Sequence, residues 1–183
     1  MGSPGPSTMS VTAVGAAFGF RRSLGYLSGI VLGTIAVLLA VATGIVAVLL
    51  RAPRIAPILV GVSAVYILYL AFRIATAPPL SRHSPDRAAP SFAGGFLLAV
   101  ANPKAYVAIA AVFAGTSLTG EANALDAGLK VTVLGLMIVV IHLGWLLAGA
   151  ALSRILSDPI RSRIANLAFA AILVATTTLA FLP

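Results

Sequence analysis

Residues 88–120 read AAPSFAGGFLLAVANPKAYVAIAAVFAGTSLTG, two uncharged runs, 88–101 and 105–120, joined by Asn102-Pro103-Lys104. Proline has no N–H to give and its ring crowds the preceding turn, so a helix does not run straight through Pro103. Lys104 lies about ten to fifteen residues from either end of this stretch, near the middle of a bilayer, where an ammonium costs about 2.5–3.5 kcal/mol on insertion scales. The dipole of a helix beginning at Pro103 does not offset that cost, because a cation in the first turn has the wrong sign. A bound anion or a water-filled cavity would satisfy both the lysine and the free N–H groups, and a substrate carboxylate suits such a site. The bland alternative is a snorkelling lysine beside a simple proline kink. Asn102 either mends the broken backbone ladder or touches the ligand.

Five further apolar stretches surround this one, at residues 7–20, 23–50, 55–72, 131–153 and 164–183. Most are near the roughly 20 residues that a 30 Å hydrocarbon core demands of a helix. The chain is 60% hydrophobic and 9% charged, with a mean hydropathy of +1.09, too apolar for one aqueous core of this size. It is therefore predicted to be an all-α membrane protein, a bundle of six transmembrane segments in a lipid bilayer. The stretch at 7–20 would span only about 21 Å as a helix, so the first helix reads as N-terminally truncated. It lacks a preceding basic region and does not read as a cleavable signal peptide.

The net charge of +8 could point to nucleic acid, but the cations sit between apolar runs instead of clustering with aromatics, so no nucleic-acid partner is expected. Arg21, Arg22, Arg73, Arg82, Arg87, Arg154, Arg161 and Arg163, eight in all, fall in the first, third and fifth loops. Arg51, Arg54 and Lys130, three in all, fall in the second and fourth. The odd-numbered loops are thus predicted cytoplasmic and both termini external. With no cysteine, disulfides and thiolate metal sites are excluded, and no metal or cofactor is expected.

A single transporter domain of 1–183 divides into halves at 1–76 and 91–183, joined by a polar linker at 77–90 that carries Pro78-Pro79, His83, Ser84-Pro85 and Asp86. Gly5-Pro6 precedes a small-residue run ending Phe18-Gly19, as Asn102-Pro103 precedes one ending Phe113-Ala114-Gly115, and Val31-Leu32-Gly33 recurs as Val133-Leu134-Gly135. Three segments separate the copies, which predicts an inverted repeat of three plus three. Pro4-Gly5-Pro6-Ser7 would then open a second half-helix near mid-membrane; the alternative is a tail capping a short helix.

His142 and Trp145 lie one turn apart in the fifth segment. His142 is a candidate proton carrier, or a neutral histidine bonded across helices. Tyr66, Tyr69 and Tyr106 read as packing or interfacial residues. Gly25, Gly29 and Gly33 permit close helix approach, either to another helix or to a second copy in a homo-oligomer.

At these residues the sequence resembles the LysE/RhtB family of amino-acid exporters, through Pro4-Gly5-Pro6, Gly19-Phe20-Arg21-Arg22, the glycine-rich second helix, residues 66–73 (YILYLAFR), Gly95-Phe96, Asn102-Pro103-Lys104 and His142-Leu143-Gly144-Trp145. The resemblance implies a six-helix carrier of the bacterial inner membrane that expels amino acids or related metabolites, driven by the proton motive force. Two departures stand out: members usually possess a complete first helix before Pro-Gly-Pro, and Ser7 replaces a position often Asn or Asp. Substrate-binding candidates are Pro4, Gly5, Pro6, Ser7, Asn102, Pro103, Lys104 and Trp145. All four acids, Asp86, Glu121, Asp126 and Asp158, fall in loops or near segment ends, which favours small neutral or zwitterionic substrates over cationic ones. An intramembrane enzyme using His142 with a hydroxyl nucleophile, and a non-transporting membrane subunit, are the alternatives; no nucleophile has recognisable spacing to the histidine.

Overall fold

The computed structural model describes residues 2, 4–44, 55–76, 89–115, 117–120, 124–155 and 158–181. Arg51, Arg54, Arg82, Arg87, Glu121 and most of the predicted linker, with His83 and Asp86, lie outside the described residues. Seven helices and no strands form among them: α1 Pro6–Phe18, α2 Phe20–Ala42, α3 Ile55–Ala75, α4 Phe92–Val100, α5 Pro103–Gly115, α6 Ala124–Ile155 and α7 Pro159–Phe181. Helices α4 and α5 are one interrupted segment, bent by 55° where Asn102-Pro103 breaks it, so the expected helical bundle is observed. Helix α2 and most of α6 are each apolar and long enough to cross a membrane alone, and α3 and α7 would be about 31 and 34 Å long.

The ends follow from local chemistry. Helix α1 stops at Gly19, whose φ of +76° lies where only glycine is unstrained, and α2 starts at the next residue. Ser91 caps α4 by accepting the Gly94 N–H at 3.2 Å. Asp158 caps α7, accepting from Ile160 (2.9 Å) and Arg161 (3.0 Å). The Arg161 amide first, and then that of Ile160, holds the Asp158 carboxyl below its ordinary value.

Charge placed some segment ends too far in. Arg21 and Arg22 open α2, Arg73 closes α3, and Lys130 stands in the second turn of α6 instead of in the fourth loop. Lys130 is tolerated there because Asp126, one turn earlier, pairs with it at 2.6 Å while both side chains are buried, and a paired charge need not end an apolar helix.

Two cores hold the bundle. The larger gathers Val14, Tyr26, Ile30, Leu70, Ile74, Leu98, Leu146 and Leu173 from α1, α2, α3, α4, α6 and α7. The smaller, toward the other end of α2, joins Val37 and Leu38 to Ile109, Leu134 and Ile138. On α6, Leu129, Val133, Leu136, Val140, Leu143 and Leu147 are exposed at helical spacing, an outward apolar stripe of the kind that lipid covers without cost.

Close approach is made by glycines. A Cβ on Gly29 would fall 2.1 Å from the Phe92 carbonyl oxygen, and one on Gly33 would fall 2.8 Å from Ala99 Cβ and from the Phe96 carbonyl. The partner of this stripe is therefore α4 of the same chain; Gly25 has nothing within 4 Å of a Cβ. A second junction, absent from the sequence reading, seats α1 on α6: a Cβ on Gly149 would lie 2.1 Å from the Thr12 oxygen, and one on Gly15 would lie 2.9 Å from that of Leu146.

Candidate functional site

The two proline-opened helices begin side by side. Gly5, in extended conformation, precedes Pro6 and caps α1, and its N–H donates to Thr8 Oγ1 at 2.9 Å. Asn102 does the same work for α5 with its side chain, Oδ1 accepting the Lys104 N–H at 3.1 Å. Its amide Nδ2 then crosses to α1 and donates to Ser7 Oγ at 2.8 Å, with both residues buried. The broken ladder is further repaired by the Tyr106 hydroxyl, which donates to the Val100 carbonyl at 2.7 Å. Asn102 thus mends the break and ties it to the second one.

Lys104 follows from this geometry. In the first turn of α5 its side chain reaches back over the start of α1, where Nζ donates to the Pro4 carbonyl. Gly5 makes the crossing possible, since a Cβ there would stand 2.9 Å from Lys104 Cδ. An ammonium has three donors, so the bond to Pro4 leaves two. A cavity of about 40 Å³ opens beside it, lined by Gly5, Ser7 and Thr8 of α1, Thr34 of α2, Asn102, Lys104, Ala105 and Ala108 at the break and on α5, and Ile138, Ile141 and His142 of α6. That is room for a few waters.

His142 closes the far wall. It is buried at 6% exposure, and its Nδ1 is 2.7 Å from the Ile138 carbonyl. A carbonyl only accepts, so Nδ1 carries the proton and Nε2 presents its lone pair. Nε2 has no protein partner among the described residues and keeps some accessible surface, and His142 is one of the residues that line the cavity. Among the described residues no carboxylate lines the cavity, and no group of three His, Cys, Asp or Glu that could hold a metal occurs.

Of the residues picked out from the sequence, Gly5, Ser7, Asn102, Lys104 and His142 line this cavity; Pro4, Pro6 and Pro103 do not, Pro4 accepting from Lys104 and Pro6 and Pro103 opening α1 and α5. Trp145 does not line it; the side chain packs on the larger core while its carbonyl accepts from Thr12 at 3.3 Å. Thr8, Thr34, Ala105, Ala108, Ile138 and Ile141 were not anticipated. Ile138 sits one turn before His142, and helical spacing alone would have put it on the same face.

The chain matches the LysE type translocators over residues 1–181. It belongs to that family. The family consists of translocators, not enzymes, and the exposed apolar helices fit a membrane protein of this kind. A stretch of 75 residues is 39% identical to the cysteine/O-acetylserine efflux proteins of Salmonella choleraesuis (strain SC-B67) and Salmonella typhimurium (strain LT2). That stretch is 41% of this chain and 38% of each relative. No solved structure matches the chain.

Proposed function

We propose that this translocator is a secondary-active exporter of small neutral or zwitterionic amino acids, or related metabolites, across the bacterial inner membrane, coupled to the proton motive force. One observation carries the reading: the starts of α1 and α5 are joined at 2.8 Å by Asn102 and Ser7, beside a cavity lined, among the described residues, by an ammonium and no carboxylate. The substrate carboxylate takes the two remaining donors of Lys104 at the positive ends of α1 and α5. The absence of an acid from the lining disfavours a second positive charge on the substrate. The relatives' names make cysteine and O-acetylserine the first compounds to try. Odd-numbered loops face the cytoplasm in this reading. The halves α1 to α3 and α4 to α7 rock about the cavity as inverted repeats, supported by the matched thirteen-residue helices that open at Pro6 and Pro103.

Proteoliposomes preloaded with cysteine, O-acetylserine, serine or alanine test this by counterflow of the same labelled compound. Lys104→Ala loses at least about tenfold in affinity, the lower end of what a charge-assisted hydrogen bond contributes. Counterflow of none of the four by the native chain would overturn the exporter reading. Undiminished counterflow by Lys104→Ala would remove the carboxylate site.

A further inference from the structure

If Lys104 receives the substrate carboxylate, the α-ammonium at the other end must also find acceptors. Inside the cavity these are few. Ser7 Oγ accepts from Asn102, Asn102 Oδ1 accepts from Lys104 N–H, Thr8 Oγ1 exchanges two bonds with Gly5, and Thr34 Oγ1 donates to the Ile30 carbonyl at 2.8 Å. His142 Nε2 is the one side-chain nitrogen or oxygen of the lining that no protein group engages among the described residues. Its lone pair is also where the imidazole would take up a proton.

We infer that the substrate ammonium and a proton compete for His142 Nε2, so that the carrier binds one or the other but not both. The inference rests on the exporter reading above and adds to it the acceptor for the amino group and the reason transport couples to protons. An ammonium donates into the neutral imidazole, with the Thr34 hydroxyl as a second acceptor. A protonated imidazole has no lone pair and presents a like charge instead. Amino acid bound from the cytoplasm therefore displaces the proton to water, and release on the outer side lets His142 be protonated there for the return. Among the described residues the only other ionisable group lining the cavity is Lys104, from α5; α1 and α2 contribute hydroxyls, and α6 contributes only Ile138 and Ile141 besides His142.

The test is counterflow of the same four amino acids at equal pH on both sides of the membrane, so that no gradient acts. Lowering the pH below the titration of His142 raises the half-saturating concentration by about tenfold per unit, at constant maximal rate, as one competing proton requires. His142→Gln keeps an acceptor that does not titrate; it lowers affinity and abolishes the pH dependence. Should that variant fail to fold, proton release on adding amino acid to the native protein in weakly buffered detergent solution reads the same exchange, up to one proton per site at acid pH and none at alkaline pH. The inference is overturned by a pH dependence that survives in His142→Gln, by one confined to the maximal rate, or by binding without proton release at acid pH. Failure of all counterflow in the native chain instead strikes the exporter reading beneath it.

Discussion

Helices α1 and α5 begin alike and end in different surroundings. Each is thirteen residues long, opens on a proline and is rich in alanine and valine, yet every residue of α1 is buried while Ile109 is the one buried residue of α5. Composition does not explain the contrast. Helix α1 carries Ser7, Thr8, Ser10 and Thr12, and spends the last three on carbonyls one turn back, at 2.8 to 3.1 Å. Hydroxyls satisfied within their own helix add little polar cost and little bulk, so α1 can sink against α6 at Gly15 and Gly149. Helix α5 meets the bundle mainly through Ile109 and its neighbours in the smaller core. Helix α1 is thus gripped on all sides, and α5 is attached along one face.

The largest effect should come from disturbing the gripped side. Gly149→Ala puts a methyl 2.1 Å from the Thr12 carbonyl oxygen, a contact that backbone on both sides must move to relieve. Overpacking of this kind costs about 1–3 kcal/mol, and more where backbone is the obstacle. Folded yield and midpoint of thermal unfolding in detergent should both fall sharply. Gly25→Ala and Gly115→Ala, with nothing within 4 Å of the new Cβ, should leave both unchanged. Equal tolerance at all three positions would show that α1 is not gripped as described.

Much of this was legible in the sequence because the physics was local. Proline suits the first turn of a helix and disrupts its interior, so the starts of α1 and α5 could be read from Pro6 and Pro103, and an intramembrane lysine asks for a partner in any fold. What pairs across the bundle was not legible. Nothing local to Ser7 says that Asn102 reaches it, and nothing in Gly25, Gly29 and Gly33 says that the packed face includes the last two and omits the first. Lys130 misled because a lone charge marks a loop, whereas a charge with Asp126 one turn away does not. The different fates of α1 and α5 were hidden for the same reason: burial belongs to neighbours, and the two helices read alike.

A sharper reading of the comparison uses the chain's lack of cysteine, which lets a single introduced thiol report on its own site. Ala13→Cys on α1, fully buried, should react with a charged maleimide at least about tenfold more slowly than Ala108→Cys, whose position faces the cavity. A transported amino acid should slow labelling at position 108 by occupying the same space. In a carrier that rocks between two states the contrast should also narrow during active exchange. Equal rates at rest would mean that the cavity is no more open to water than the interior of α1.

The smallest effect concerns how the far end of α5 is held. Past Gly115 the chain turns back at residues 117–120, and Asp126 in the first turn of α6 gathers that turn: Oδ1 accepts from Leu118 N at 2.6 Å and Thr119 N at 3.3 Å. Its other oxygen pairs with Lys130, whose ammonium sits 5.4 Å over the Phe113 ring and 3.4 Å from the Phe113 carbonyl. Asp126→Asn can still accept an amide but strands a buried ammonium, and breaking a buried pair is worse than replacing both partners by apolar groups. Amide exchange at Leu118 and Thr119 should therefore quicken several-fold in Asp126→Asn, and less in Asp126→Asn combined with Lys130→Met. Exchange within α1 should not change. If the turn exchanges no faster, α5 is exposed because lipid covers it and not because it is loosely held, and the contrast with α1 is one of surroundings alone; if it does, the ion pair is what fastens the Gly115 end of α5 to α6.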